Sequence, residues 1–460
     1  MERSGAWSNL RMPITLAYVS SILKKEGYNV KLVDDIALYY IGKPTNIKKL
    51  LRDFSPEIVI LNTAFQSVFG EDMENARLVK EANPNTKVIM FGVAPTLVYD
   101  RILKKGFVDI CIIRESEENI SKLCEFLQRG KDLSSISNIA FRRNGKVIVT
   151  KEEPPKVDLD ELPYPDYESL PLDAYRVPID KQKQVLLDVS RGCPHRCIYC
   201  VGTRYYGHKV RIRKPENVIK EIEHVMSLGV SRILFWADTF TINRKWLHEV
   251  CNLMIEKGIN KKIKWIVNSR VDTVDLESLK LMEKAGCYVI GFGVESGVQE
   301  ILNYVKKGIK LQNTINAFKW AGKTRIRTAA HVVFGLAPFE NRKTILKTIW
   351  FVHKLKPKYA NFHVATPYLG TELYDIYSKE GYIEKNNLVD FETTTANISL
   401  PKLSRRELEF WRGFAFFTFF FSPRFILQQL SYVRSFKELL NLIGNGFWWS
   451  LGWINIKKKD

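Results

Sequence analysis

The sequence lacks any apolar stretch long enough to span a bilayer, and no N-terminal apolar run has the form of a signal peptide. A cytoplasmic protein is therefore expected. Cysteine is scarce, seven in 460 residues, and in a reducing compartment these are not expected to pair as disulfides. No internal repeat is present beyond an alternation of strand and helix patterns. Acidic residues are outnumbered 50 to 70 by Lys and Arg, giving a formal net charge of +20. Such an excess suits an anionic partner such as phospholipid or nucleic acid. The basic residues nonetheless fall in short scattered runs, such as Lys261-Lys262 and Lys306-Lys307, which read as solvated helix faces. No nucleic acid partner is expected. The hydrophobic content, 45%, is enough for two or three domains.

Residues 14–26 place Leu16, Val19 and Leu23 at helical spacing, and Gly27 ends that helix. Strands are expected at 30–33, 58–61, 87–91 and 109–113, with helices at 47–53, 71–82 and 115–129. This alternation implies a mostly parallel, doubly wound, Rossmann-like sheet over residues 1–130. Residues 131–180 change character. A hairpin around Asn144-Gly145 precedes a linker rich in Pro and Asp, running through Leu162-Pro-Tyr-Pro-Asp166. From Val185 the alternation resumes six times, with strands at 185–189, 232–236, 263–267, 288–293, 328–334 and 360–365. Six units are two short of a closed barrel. Residues 181–400 thus read as a partial (β/α)6 barrel, with its chemistry at the strand C-termini.

Three of the seven cysteines fall within eight residues, Cys193-Pro-His-Arg-Cys197-Ile-Tyr-Cys200, just after the first barrel strand. Three closely spaced thiolates can bind three irons of a four-iron cluster and leave the fourth open. An open iron can chelate the amino and carboxylate groups of S-adenosyl-L-methionine (SAM). One electron then cleaves the sulfonium and releases a 5′-deoxyadenosyl radical. A zinc site, with His195 or His208 as a fourth ligand, and three buried structural cysteines are the alternatives.

This stretch resembles the radical SAM superfamily, and the resemblance continues in order over about residues 185–375. It assigns the three cysteines to a [4Fe–4S] cluster and places Tyr199, before the last of them, against the adenine. Trp236-Ala-Asp238-Thr-Phe240 ends the second strand, where Asp238 would meet the SAM amino group. Asn268-Ser-Arg270-Val-Asp272 ends the third, with Arg270 placed to pair with the SAM carboxylate. Gly291-Phe-Gly293-Val-Glu295-Ser296-Gly297 ends the fourth, and there Glu295 and Ser296 would bond the ribose or methionyl groups. Phe334-Gly-Leu-Ala-Pro338 and Thr366-Pro-Tyr-Leu-Gly-Thr-Glu372 follow the fifth and sixth. An electron donor such as ferredoxin or flavodoxin is implied.

The N-terminal part is similar to the cobalamin-binding domain that precedes the barrel in one radical SAM class. The matching segments are Pro13-Ile-Thr-Leu-Ala-Tyr18, Glu26-Gly-Tyr-Asn-Val30, Phe91-Gly-Val-Ala-Pro-Thr96 and Val108-Asp-Ile-Cys-Ile-Ile-Arg-Glu115. The linker Val157-Asp-Leu-Asp-Glu-Leu-Pro-Tyr-Pro165 matches as well. Ligands of such sheets bind outside the strand C-termini, so Asn62, Thr63 and Gly92 are expected to face the corrin. Two departures stand out. The Asp-x-His-x-x-Gly motif that gives cobalt a histidine is absent, so cobalamin is expected without one. The class's first strand has no counterpart in Met1–Leu10, so either the sheet lacks a strand or the start codon is misplaced. A degenerate domain that binds no cobalamin is the competing reading.

Residues 401–460 form an aromatic, basic helical tail. Eight of the twelve residues from Phe410 to Phe421 are aromatic, and from Pro401 onward ten Lys or Arg face four Asp or Glu. The aromatic run is too short to cross a bilayer. It suits a helix lying on a membrane, a lid over an apolar substrate, or a cap packed on the barrel. The function expected is a cobalamin-dependent radical SAM enzyme, a methyltransferase acting on a small-molecule or lipid substrate. Ring closure or rearrangement is an alternative within enzymes. A noncatalytic cobalamin or lipid carrier is the alternative outside them. The extra cysteines and RNA-binding barrel of tRNA methylthiolation enzymes are not visible.

Overall fold

The computed structural model describes residues 10–63, 69–177, 181–384 and 396–430. Its first sheet runs β1 (Ile58–Thr63), β2 (Lys87–Gly92), β3 (Ile110–Ile112), β4 (Ile139–Arg143), β5 (Lys146–Val149), in that spatial order. β1 to β3 are parallel, and β4 and β5 are antiparallel. β2 is buried from Val88 to Gly92 because helices cover both faces of the sheet, as an unbroken apolar strand requires. One face packs Met73, Ala76, Val98 and Ile102 against Val88 and Met90. The other packs Val19, Leu23, Ile120 and Leu123 against Ile89 and Phe91. The doubly wound expectation holds. The hairpin turns at Asn144 and Gly145, both at positive φ (51° and 76°), as a two-residue turn between twisted strands demands. It does not stand apart in the linker, because β4 pairs with β3 and extends the sheet.

The expected strand at 30–33 does not form. In a flavodoxin-like order, such a strand pairs with an earlier one lying between it and β1. Among the described residues none precedes it, since 14–25 is helix, and a lone strand cannot satisfy its backbone groups. The segment instead leads to Asp34, which caps the helix Asp35–Tyr40 and accepts the Tyr175 hydroxyl at 2.6 Å.

The linker fastens the first helix to the barrel. The Ser20 hydroxyl donates to Asp166 at 2.6 Å, and the Tyr167 hydroxyl donates to the buried Glu221 at 2.6 Å. The second sheet contains β6 (Gln184–Arg191), β7 (Arg211–Ile212), β8 (Arg232–Ala237), β9 (Lys264–Ser269), β10 (Cys287–Glu295), β11 (Arg327–Phe334) and β12 (Tyr359–Val364). Its order is β12-β11-β10-β9-β8-β6-β7. Six strands are parallel and only the short β7 is antiparallel, so the barrel is open, as its six units imply. Helices pack outside it around one large core.

The helix Arg405–Phe420 packs on β12. The Phe416 ring lies 5.3 Å from Phe362, and Arg412 Nε donates to the Phe362 carbonyl at 3.0 Å. Its inner side is thus a cap on the outside of the barrel. The rest of the tail, 431–460, lies outside the described residues. No helix among the described residues is long and apolar enough to cross a membrane.

Candidate active site at the carboxyl ends of both sheets

β6 delivers the cysteine loop. After Arg191 the chain turns at Gly192 (φ +91°), where a Cβ would lie 2.2 Å from the Lys209 carbonyl oxygen, so only glycine fits. Cys193 and Cys197 are half-buried, Cys200 is exposed, and all three are free thiols. The Ile198 N–H donates to the Val305 carbonyl and the Leu373 N–H to the Ile198 carbonyl, which ties the loop to the barrel. Burial pushes the Cys197 thiol up, with Lys307 and Arg270 opposing. Among the described residues no three His, Cys, Asp or Glu side chains converge where one ion could sit, as a single zinc requires. A four-iron cluster takes its thiolates on separate irons, and three free thiols on one loop can serve it. His195 Nε2, inside the loop, is buried without a partner, an orphaned polar atom of the kind a bound group accounts for. The residues fit the cluster.

Asp238 follows β8. One oxygen accepts the Gly192 N–H at 2.8 Å and so braces the cysteine loop. Burial pushes the Asp238 carboxyl up to about 6, the Gly192 amide opposing. Arg270, buried at the end of β9, grips Asp272 with Nε and Nη2 at 2.9 and 2.8 Å and also donates to the Lys307 carbonyl. A SAM carboxylate would therefore meet a guanidinium already fixed by Asp272. Glu295 ends β10 at φ +59°, beside a register shift after Gly293. Such strain persists where the surroundings impose it, most often at functional sites. Its carboxylate accepts from Lys307 Nζ at 2.7 Å, and the Tyr199 hydroxyl lies 3.4 Å from the same nitrogen. Burial alone would raise the Glu295 carboxyl, but Lys307 holds it below its ordinary value. Ser296 follows the strand and is buried, its hydroxyl facing the Thr348 hydroxyl at 3.2 Å and accepting the Val298 N–H at 3.2 Å.

Two site residues escaped the sequence reading. Lys307, half of a doublet taken for a solvated surface, is buried against Glu295, while Lys306 stays outside and pairs with Glu372. Adjacent lysines carry no sign of which one turns inward. His331 on β11 enters the lumen beside Asn361, 3.4 Å from Nδ1, and burial pushes it below its ordinary value. A Cβ on Gly291 would lie 2.2 Å from Asn268 Oδ1 and 2.7 Å from His331 Nε2, so this glycine lets both polar groups close over β10. Lys307→Met would leave Glu295 buried without its cation. SAM affinity is expected to fall roughly tenfold or more while iron content stays unchanged, as read by equilibrium dialysis and iron assay. Unchanged affinity would show that the pair merely supports the fold.

In the first sheet, Thr63 and Gly92 are register partners at the ends of β1 and β2. A Cβ on Gly92 would strike the Thr63 carbonyl oxygen at 2.1 Å, so this glycine serves the approach of two strand ends. Asn62 beside them is half-buried. The Thr63 hydroxyl and one oxygen of Asp72 are enclosed, and neither makes a hydrogen bond among the described residues. Burial pushes the Asp72 carboxyl up to about 7, with the neighbouring Thr63 hydroxyl opposing. Unsatisfied polar atoms at the carboxyl end of a doubly wound sheet suit the amide-rich rim of cobalamin. No histidine precedes His195 in the sequence, so this domain has no imidazole for cobalt. Paramagnetic resonance of the reduced, cobalamin-loaded protein is expected to show no nitrogen splitting from a protein histidine, and such splitting would refute this.

The two sheets meet at these ends. Arg191, 1% exposed, spans them, with Nε on Asp188 (2.7 Å), Nη1 on Glu115 (3.1 Å) and Nη2 on Glu117 (2.7 Å). Its guanidinium also lies over the rings of Tyr18 and Tyr206. Glu115 takes a second cation, Arg211, at 2.9 Å. Glu115 and Glu117 follow β3, whereas Arg191 leads directly into the cysteine loop.

An open βα barrel bearing a cluster loop, pressed against the ligand end of a doubly wound sheet, defines a two-domain enzyme with adjoining cofactor sites. The family model of the radical SAM superfamily matches residues 187–352, and that of the B12 binding domain matches residues 10–123. The chain is 30% identical over 423 residues to the uncharacterized methyltransferase PH0819 of Pyrococcus horikoshii, covering 91% of this chain and 90% of that one. It is 27% identical to the anaerobic magnesium-protoporphyrin IX monomethyl ester cyclase of Cereibacter sphaeroides, over 81% of this chain and 61% of the cyclase. It is 23% identical to the hopanoid C-3 methylase of Methylococcus capsulatus, over 85% and 73% respectively. Among solved structures, the cobalamin-dependent SAM radical enzyme OxsB, with aqua-cobalamin and SAM bound, superposes with a TM-score of 0.73 at 17% identity. That match covers 95% of this chain and 68% of OxsB. The chain belongs to the cobalamin-binding class of the radical SAM superfamily. It is an enzyme whose cofactors are a [4Fe–4S] cluster, SAM and cobalamin.

Proposed function

We propose that this enzyme transfers a methyl group to an unactivated carbon of a lipid or isoprenoid-like molecule. The observation that carries the reading is the Arg191 junction, which sets the cysteine loop beside the loop that follows β3. With the groups bound, the cluster and SAM supply a carbon radical and cobalamin supplies a methyl group. The chain's own part is to position and enclose. Asp238 fixes the loop, Lys307 keeps Glu295 ionised, and Asp272 holds Arg270. Below them Asn268, His331 and Asn361 offer hydrogen bonds to a substrate in the lumen. A ferredoxin- or flavodoxin-type donor would supply the electron. Similarity to a methylase of hopanoids supports the lipid class.

Similarity to the cyclase supports a second reading, radical ring closure without methyl delivery. Anaerobic purification with cobalamin, incubation with methyl-labelled SAM, and mass spectrometry of lipids from cells with and without the gene separate the two. A labelled product one methyl heavier is expected. SAM cleavage with an unlabelled product lighter by hydrogen would favour closure, and no SAM cleavage at all would favour a noncatalytic carrier.

A further inference from the structure

The helix Arg405–Phe420 is aromatic on two sides, and among the described residues only one of them is covered. Phe416 and Phe419 face the barrel and are buried. On the opposite side Phe410, Phe414, Phe417 and Phe421 are 61%, 36%, 59% and 51% exposed. Their spacing, steps of four, three and four residues, places them in one row. Phe410 stacks on Phe414 and Phe417 on Phe421, with centroids 6.2 and 4.8 Å apart, so the row is an aromatic ridge of two stacked pairs. Ile426 and Leu427, 42% and 67% exposed, lie just beyond it.

The helix Arg342–Leu355 runs alongside in the same direction. Arg342 pairs with Glu407 near both starts, and His353 lies 5.9 Å from Phe419 near both ends. Its outward positions, spaced like the phenylalanines, are Lys343, Lys347, Trp350 and Lys354, and Trp350 is 69% exposed. Neither row contains an acidic residue. An apolar ridge flanked by a row of lysines and one tryptophan is complementary to acyl chains edged by anionic headgroups. Water alone would disfavour so large an apolar patch.

We propose that this face docks the enzyme reversibly on a membrane surface containing anionic lipid. The phenylalanine row enters the acyl boundary while Lys343, Lys347 and Lys354 meet the headgroups. The lysine row selects a lipid surface over an uncharged apolar partner, and the +20 net charge draws the whole chain the same way.

The test is flotation of the full chain with phosphatidylcholine vesicles, with and without phosphatidylglycerol. Wild type is expected to float with the anionic vesicles and to release at high salt. A variant carrying Phe410→Ser, Phe414→Ser, Phe417→Ser and Phe421→Ser is expected to lose roughly tenfold or more in binding, with unfolding temperature unchanged because these rings are not core. A second variant, Lys343→Glu, Lys347→Glu and Lys354→Glu, is expected to lose the preference for anionic vesicles. The proposal is overturned if wild type does not float, if the phenylalanine variant floats equally well, or if that variant unfolds. It also falls if carbene footprinting finds Phe417 and Phe421 protected in the lipid-free monomer, since residues 431–460 would then cover the ridge. A dimer that dissociates in the phenylalanine variant would make the face a self-interface and overturn it as well.

Discussion

Replacing Cys193, Cys197 and Cys200 with alanine together is expected to abolish the brown chromophore, bound iron and sulfide, and all reductive cleavage of SAM. Each thiolate serves a separate iron, so no remaining ligand can stand in for three lost ones. His195 stays within the loop, but one imidazole cannot hold a cluster. The fold should survive, because the loop is also tied by the backbone bonds of Ile198 to Val305 and Leu373. Circular dichroism of the triple variant should therefore match wild type while its iron assay reads background. Iron and sulfide at wild-type levels would sink the assignment.

The second large effect is expected at Arg191. Truncation to alanine leaves Asp188, Glu115 and Glu117 around a space that held their guanidinium, all of them buried. Breaking a buried pair in this way destabilises by about 3–5 kcal/mol, well above the ~1 kcal/mol of an ordinary substitution. Burial already raises the Asp188 carboxyl, with Arg191 opposing. Without the guanidinium that opposition is lost, and the Asp188 carboxyl rises further above its unfolded value. The folded state then holds more protons than the unfolded one, and the deficit shrinks as pH falls through the carboxylate range. Urea unfolding at neutral and mildly acidic pH measures both effects. A loss under about 1 kcal/mol at neutral pH would show that the network contributes little net stability.

Much of the fold was legible because it rests on local patterns. Every barrel strand falls within a residue or two of its apolar run, and the Asn144-Gly145 turn sits where its dipeptide says. The failure at 30–33 has a different origin. Val30 and Val33 favour a strand, but a strand exists only through its neighbour, and that neighbour is a property of the sheet. The site divides in the same way. The cysteines announce themselves by spacing. Lys307 and Arg191 do not, because their partners lie 12 and more than 70 residues away, and charged residues in sequence look solvated until the fold buries them. The tail was read as membrane helix, lid or barrel cap, and its described helix is a cap on one side, with phenylalanines exposed on the other among the described residues.

The Arg191 junction also bears on how such enzymes diversify. Two domains joined by a flexible tether can be exchanged freely, but here a guanidinium from one closes directly onto carboxylates from the other. A chimera that borrowed a new N-terminal half without Glu115 and Glu117 would leave the buried cation only Asp188, and the reverse graft would strand buried anions. Recombination between relatives is therefore expected to succeed only when the segment around 115–117 and the segment around 188–191 travel together, which makes them one heritable module despite their distance in the chain.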